Sequence, residues 1–528
     1  MTTISTPPVQ PVRRLSILRL FVAIVVTGAL VAAGFVGWQM YSAQAFTAKG
    51  GAWFASYVDV TATPQYAFEE PTTNAQKQVV LSFIVAANTA GGCTPSWGGA
   101  YSLDEASASL DLDRRIARLQ QQGGDIAISF GGLDNQELAI TCDSVSALAA
   151  AYESVIDRYN TTPIDMDIEG AALTNEAANQ RRAAALEIVQ KHERSEGKSL
   201  AIWLTLPVAP SGLQVGGQDV VEATLGGKVD IAGVNAMTMD YGQLSDGQTM
   251  LTASESALTE TQRQLGILYK QVGITLNSRT LWSKIGATPM IGQNDSKGEV
   301  FTIADATAFN SFAASNGVGR VSMWSLNRDV SCGSNYVNLG VVSDSCSGVK
   351  QGTLSFATIL AKHFGGSTDF ASKKVTKSQV VSSASLKDNP KTSPYQIWSQ
   401  TASYLEGTKV VWHHNVYVAK WWTQGDLPDN PVLNAYQTPW TLIGPVLKGE
   451  KPIQQPTVPE GTYPAWDGTV IYNKGQRVIF DDTPYEAKWY TQGDSPAAAS
   501  SDPDGSPWVP LTIDQINAVN QALAQAKD

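Results

Sequence analysis

From Trp53 onward the chain repeats one cadence: a short apolar run, a loop rich in Gly and Asp, then a stretch whose apolar residues recur at helical spacing. That alternation predicts βα units around a parallel sheet, because strands covered on both faces read as continuous apolar runs while the covering helices are amphipathic. Eight strands are predicted, near 53–59, 79–87, 125–131, 164–169, 200–207, 231–240, 287–292 and 320–326. Helices are expected at about 103–121, 144–159, 175–194, 218–225, 254–272, 303–316 and 354–364, and only the first strand leads to the second without one. Eight such units predict an α/β domain over residues 46–364, a (β/α)8 barrel of the TIM type. In that fold chemistry gathers at the C-terminal ends of the strands.

Beyond 364 the periodicity disappears. Residues 365–393 are rich in Ser, Thr and Lys, with Gly365-Gly366 at one end and Pro390 and Pro394 at the other, and read as a flexible exposed linker of about 30 Å coil dimension. An internal repeat follows. Ala419-Lys-Trp-Trp-Thr-Gln-Gly-Asp426 recurs as Ala487-Lys-Trp-Tyr-Thr-Gln-Gly-Asp494, and the same offset pairs Trp398 with Trp466, Tyr404 with Tyr472, Tyr417 with Tyr485 and Trp440 with Trp508. Two small all-β modules are therefore expected, at 394–450 and 463–512, joined by a linker at 451–462. Each is too short for a large core, so its aromatics should pack on one another. If Trp421-Trp422 and Trp489-Tyr490 lie on strands, their side chains point to opposite faces and one of each pair is exposed. The tail, 513–528, reads as a short amphipathic helix with no assignable task.

Composition narrows the partners. Of the 528 residues 16% are charged, and the formal balance is −11. The first 45 residues hold three arginines and no acid, so the remainder is more acidic still. Such a chain suits neither nucleic acid nor anionic membranes, whereas a neutral polymer is indifferent to its charge. The basic Arg13-Arg14, an apolar run at 20–36 and the small-x-small ending Ser42-Ala-Gln-Ala45 predict export with cleavage after Ala45. The alternative is an uncleaved membrane anchor over residues 15–38. In an exported chain, four cysteines predict two disulfides. Three pairings are possible; Cys332 with Cys346 closes one short loop, and Cys93 with Cys142 would tie two neighbouring strand-end loops. Histidines stand only at 192, 363, 413 and 414, none beside a Cys or acid cluster of metal-ligand spacing, and His413-His414 reads as a surface pair. Gly91-Gly92 lacks the Lys-Ser/Thr of a phosphate loop. No metal and no organic cofactor are implied.

The stretch that folding alone does not explain is Pro163-Ile-Asp-Met-Asp-Ile-Glu-Gly170. On a strand, Asp165, Asp167 and Glu169 share one face, with Cα atoms roughly 6.5 Å apart along the row, while Ile164, Met166 and Ile168 share the other. Mutual repulsion and burial raise carboxyl pKa values, so at least one should stay protonated near neutral pH, which is how a general acid is made. Glu169 is expected to end the fourth strand and Asp240 the sixth, with Trp324 late in the eighth.

This Asp-x-Asp-x-Glu ending resembles the signature of glycoside hydrolase family 18 chitinases, usually Asp-x-x-Asp-x-Asp-x-Glu, with Thr162 in place of the first Asp. Ser129-Phe-Gly-Gly132, Met237-Thr-Met-Asp-Tyr241 and Met323-Trp-Ser325 look like the same family, over roughly residues 50–364. The resemblance implies the barrel and a substrate-assisted, retaining hydrolysis in which the sugar's 2-acetamido oxygen is the nucleophile. Glu169 would protonate the leaving oxygen, Asp167 would hold the acetamide N–H, and Asp165 would sit deeper and share a proton with Asp167. Asp240 matches its family position, whereas Tyr241 stands one place late and would reach the acetamide from the loop. Trp324 would floor the sugar site, with Met237 and Gln293 as further substrate contacts. Ser129 and Gly131-Gly132 are expected to shape the mouth rather than to perform chemistry. Both repeats resemble carbohydrate-binding modules of families 5 and 12, which implies that Trp421, Trp422, Trp489 and Tyr490 contact sugar. The expectation is a secreted, monomeric, endo-acting chitinase whose partner is chitin or another N-acetylglucosamine polymer. An endo-β-N-acetylglucosaminidase acting on glycans or peptidoglycan is the enzymatic alternative, and a non-catalytic chitin-binding lectin is the alternative of another class.

Overall fold

The computed structural model describes residues 51–88, 92–334, 341–366, 386–447, 449–452, 458–480, 483–497 and 505–526. The expected export segment 1–45, Gly91, most of the expected linker and the last two residues lie outside them. Among the described residues no helix is long and apolar enough to cross a membrane. The chain divides into two compact units between Gln379 and Val380.

The first unit is built on a parallel sheet. Its strands are Trp53–Phe54 with Ser56–Asp59, Gln78–Ala86, Asp125–Gly131, Pro163–Asp167, Ala201–Ala209, Ile231–Met237, Ile285–Thr288 and Arg320–Val321. Each pairs in parallel with the next, and the first run pairs on both sides: Ser56–Asp59 with the second strand, Trp53–Phe54 with the eighth. Helices follow all of the strands but the first, and runs such as Ile164, Met166 and Ile168 are fully buried. Their starts are legible in the sequence. Ser144, Asn175, Thr249 and Thr302 each accept a hydrogen bond from a first-turn backbone N–H, an N-cap arrangement.

Several boundaries differ from the sequence reading. The fourth strand ends at Asp167, because the backbone leaves the ladder to enter a short 3₁₀ turn, Gly170–Ala172, with Glu169 as its extended N-cap. The sixth ends at Met237, and Asp240 lies beyond it with a left-handed φ of 50°. The eighth keeps only Arg320–Val321, and Trp324 makes a lone bridge to Met290. The helix expected over 103–121 is two helices, Leu103–Ser109 and Leu112–Gln121, broken at left-handed Asp111. Both disulfides form as expected, Cys93–Cys142 and Cys332–Cys346.

The second unit holds two sets of small sheets. In the first repeat Ser403–Tyr404 pairs with Thr423–Gln424, and Lys409–Trp412, Asn415–Ala419 and Trp440–Pro445 form a three-stranded sheet. In the second, Ile471–Tyr472 pairs with Thr491–Gln492, and Arg477–Phe480, Thr483–Ala487 and Trp508–Pro510 repeat the sheet. Each is pinned by the same bonds. Trp440 Nε1 donates to the Asp426 carbonyl at 2.9 Å and Trp508 Nε1 to that of Asp494 at 2.8 Å, while Thr423 and Thr491 each donate to the same Asp side chain at 2.6 Å. The repeated Thr-Gln-Gly-Asp is thus a structural clasp. Trp421 and Trp422 are not on a strand but in the bend between Asn415–Ala419 and Thr423–Gln424, so strand alternation does not apply and both are exposed. Trp489 and Tyr490 are exposed likewise. The tail forms the helix Ile513–Gln525, capped by Thr512.

Candidate active site

At the C-terminal ends of the strands lies a cleft of about 330 Å³, lined among others by Tyr57, Phe83, Asp167, Glu169, Met237, Asp240 and Trp324. The geometry begins one residue below it. Asp165 is 1% exposed and its carboxylate is saturated: Oδ2 accepts from Tyr57 OH and Ser129 Oγ, both at 2.8 Å, and Oδ1 accepts from Thr205 Oγ1 at 2.7 Å and from Arg320 Nη1. Arg320 is itself fully buried, donates from Nη2 to Tyr57 OH at 3.0 Å, and lies within about 5–6 Å of the rings of Trp53, Tyr57 and Trp203. Asn235 donates to Tyr57 and Thr205 and accepts from Thr288, completing the network. Asp165 is thus met by a guanidinium and three hydroxyls, all of them donors.

Asp167 is buried, 4% exposed, and lines the cleft with Oδ1 unpaired. Burial, then the neighbouring charges of Glu169 and Asp165, push its pKa well above the ordinary carboxylate range, with Arg320 opposing. Glu169 stands at the rim of the same cleft. Burial, followed by the charges of Asp134 and Asp240, raises its pKa from 4.5 to about 7. A carboxyl neutral up to that pH can give a proton where a normal one cannot. Beside it Trp324 stacks on Phe83, with centroids 5.5 Å apart and planes 21° apart, and Tyr57 lies tilted against both rings. All three rings line the cleft.

The Ser129-Phe-Gly-Gly132 phrase acquires a specific reason. Gly131, at φ 102°, passes so close to the fourth strand that a Cβ would sit 1.9 Å from the Asp167 carbonyl oxygen, and the Gly132 amide donates to that same oxygen at 2.9 Å. Ser129, expected only to shape the mouth, holds Asp165.

Not every expected residue reaches the cleft. Asp240 does, its Oδ1 accepting from the Ser296 amide at 2.7 Å. Tyr241 does not line it: its hydroxyl meets Ser254 Oγ at 3.2 Å, on the helix Met250–Gln271. Gln293 lies outside too, packed against Gly348, because it belongs to a separate two-stranded ribbon with Val300–Phe301. Tyr57, Phe83, Thr205 and Arg320 were missed by the sequence reading. Only Arg320 left a trace, a cation opening a run otherwise read as fully buried. Among the described residues no group of acids, histidines or cysteines could hold a metal ion. His413 and His414 instead face Asp429 and Asp388.

No family model matches the chain. It is 35% identical over 316 residues to a probable bifunctional chitinase/lysozyme of Escherichia coli (strain K12), covering 57% of this chain and 34% of that protein. It is 33% identical over 308 residues to endochitinase 11 of Metarhizium anisopliae, covering 56% of each. Among solved structures, the catalytic domain of a hyperthermophilic chitinase from Pyrococcus furiosus superposes with a TM-score of 0.52 at 28% identity, over 60% of this chain and 97% of that domain. The chain thus spans between about a third and just over half of the curated relatives' length. These likenesses are to chitinases over 56–60% of the chain, and the structural one is to a catalytic domain of TIM-barrel-like α/β fold.

Proposed function

We propose that this chain is an exported, endo-acting chitinase that cleaves β-1,4 links between N-acetylglucosamine units with retention of configuration. The observation that carries the reading is a carboxyl neutral up to about pH 7, Glu169, beside the unpaired buried oxygen of Asp167 and an aromatic wall. Similarity to an endochitinase and to a chitinase catalytic domain supports it. We read the sheet as a closed (β/α)8 barrel because its first run pairs on both sides.

In this mechanism Glu169 protonates the glycosidic oxygen as the bond to the anomeric carbon breaks. The 2-acetamido carbonyl oxygen closes on that carbon from the opposite face, giving an oxazolinium ion. Asp167 receives the acetamide N–H on its free oxygen and, as a carboxylate, balances the positive charge. The glutamate, now ionised, takes a proton from the water that reopens the ring. Asp165, paired with Arg320, supplies a fixed negative charge behind Asp167 and helps keep the proton in the pair in front of it. Trp324 carries the apolar face of the distorted sugar.

The decisive experiment is turnover of a soluble chitin oligomer by the wild type and by Glu169→Gln, with anomer detection. A variant that kept near-wild-type rates would falsify the assignment, and an α-anomeric first product would refute retention. A second reading rests on the relative described as a probable chitinase/lysozyme: the same acids could cleave peptidoglycan, and the two substrates assayed side by side separate the readings. The lectin alternative is disfavoured by the survival of both Asp167 and Glu169. We further propose that residues 394–450 and 463–512 bind insoluble chitin, that the chain acts as a monomer, and that residues 1–45 direct export with cleavage after Ala45.

A further inference from the structure

Asp240 reaches the cleft from a turn that its own backbone does not favour. It has a left-handed φ of 50°, and Gly242 follows at 83°, a region that residues other than glycine keep only where their neighbours fix them. Those neighbours come from one place, the loop of the ribbon between Gly292–Gln293 and Val300–Phe301. The Asp240 amide donates to Asn294 Oδ1 at 3.3 Å, the Tyr241 amide donates to Glu299 Oε2 at 3.0 Å, and Asp240 Oδ1 accepts from the Ser296 amide at 2.7 Å. Two successive backbone N–H groups thus point at buried acceptors, the arrangement by which turns hold anions. The acceptors are held in turn. Asn294 Nδ2 donates to the carbonyls of Met290 and Gly292, its amide donates to the Glu299 carbonyl at 3.0 Å, and the Glu299 amide donates to the Ser296 carbonyl at 3.1 Å. Glu299 Oε1 is buried without a partner. A buried carboxyl with an unpaired oxygen destabilises a fold, so folding alone gives no reason for it; the turn does.

We infer that Glu299 is a positioning residue, which fixes the turn at Asp240 through the Tyr241 amide and so keeps the Asp240 carboxylate in the cleft that Glu169 shares. The inference rests on the proposed function, in which Glu169 is the acid. Glu299 is not among the residues that line the cleft, so it acts through Asp240 rather than on the sugar. The charges that bear on Glu169 are those of Asp134 and Asp240, with Asp167 coupled to it from below. Around Asp240 stand Asp295 and Glu299, and Arg328 and Asp344 face Asp295. Burial raises the Glu299 carboxyl above its ordinary range, the Tyr241 amide opposes this, and the Asp240 charge adds to it. When the turn relaxes, Asp240 withdraws and Glu169 loses one of the charges that keep it protonated.

The test follows the basic limb of kcat/KM against pH on a soluble chitin oligomer, and beside it the titration of the Glu169 carboxyl by carbon NMR of glutamate-labelled protein, which needs no turnover. Glu299→Ala should move both to lower pH by about half a pH unit or more. Glu299→Asp keeps the charge but draws it back from the amide, and should move them the same way. Glu299→Gln drops the charge but keeps an oxygen for the amide, and should restore the wild-type limb. In an Asp240→Asn background Glu299→Ala should add no further movement, since the two act as one unit. A limb and a titration left in place by the Ala and Asp variants overturn the inference. A Gln variant that behaves like the Ala variant overturns it as well, because charge rather than position is then what Glu299 supplies. Should the Ala variant fail to fold, as read by circular dichroism, the opposed outcomes of the Asp and Gln variants decide the same question. If the wild type cleaves no chitin oligomer, it is the chitinase reading that fails, and the NMR titration still decides whether Glu299 governs Glu169.

Discussion

Glu169 pays for its neutrality in stability. Its folded pKa of about 7 lies above the ordinary 4.5, so the folded state holds a proton that the unfolded chain has released. The contribution of Glu169 to stability is therefore present in full at acid pH and falls by up to about 3 kcal/mol as the pH rises from the ordinary value through about 7. Glu169→Gln buries no charge. It should lower turnover by about 10²–10⁴-fold, yet gain in unfolding midpoint over the wild type between pH 5 and pH 8, measured by urea titration at each pH. Asp240→Asn removes one of the charges that raise that pKa, so the basic limb of kcat/KM against pH should move to lower pH, and a limb left in place would disconnect Asp240 from Glu169. Arg320→Met leaves the Asp165 carboxylate buried without its cation and should cost about 3–5 kcal/mol. Of these residues Glu169 and Asp240 were legible from spacing and motif. Arg320 was not, because its partner stands 155 positions away and no local pattern links a residue on the eighth strand with one on the fourth.

Among the elements, the fourth strand shows how an acidic row is kept in a core. Its apolar residues Ile164 and Met166 are fully buried, while Asp165 is matched by donors from the first, third, fifth and eighth strands. The third strand approaches it so closely that only glycine fits at 131. Gly131→Ala must move two strands apart and abandon a left-handed φ, so it should cost about 1–3 kcal/mol or more and lower kcat through misplacement of Asp167; a variant with wild-type melting and rate would show that the approach is not required. Strand and helix existence followed from apolar periodicity, since burial dictates which residues repeat. Strand ends did not, because Glu169, Asp240 and Trp324 leave the ladder where loop contacts outweigh strand propensity. The cis peptides Ser82–Phe83 and Trp324–Ser325, which flank the stacked rings, likewise had no mark in the sequence.

At the level of the whole molecule, the proposed function divides labour between a cleft and the repeats. Replacing Trp422 and Tyr490 together by Ala is expected to lower retention on chitin beads about 10-fold or more, through loss of stacking area and of the avidity of two linked sites, while hydrolysis of soluble oligomers stays as in the wild type; loss of soluble activity would refute the separation. Because Trp421 and Trp489 are exposed as well, residual binding after that change identifies them as contributors. What the sequence by itself determined was what repeats or is local: the strand and helix cadence, the duplicated aromatic repeat and the acidic row. What only the tertiary structure decided was which distant groups meet. It tied Asp165 to Arg320, left an oxygen of Asp167 open, turned Tyr241 to Ser254, put both aromatics of each module into solvent and gathered the acids of separate loops around one cleft. The physical reason is that periodicity records burial, which each residue carries locally, whereas pairing and charge fields depend on distances that arise only once the strands are side by side.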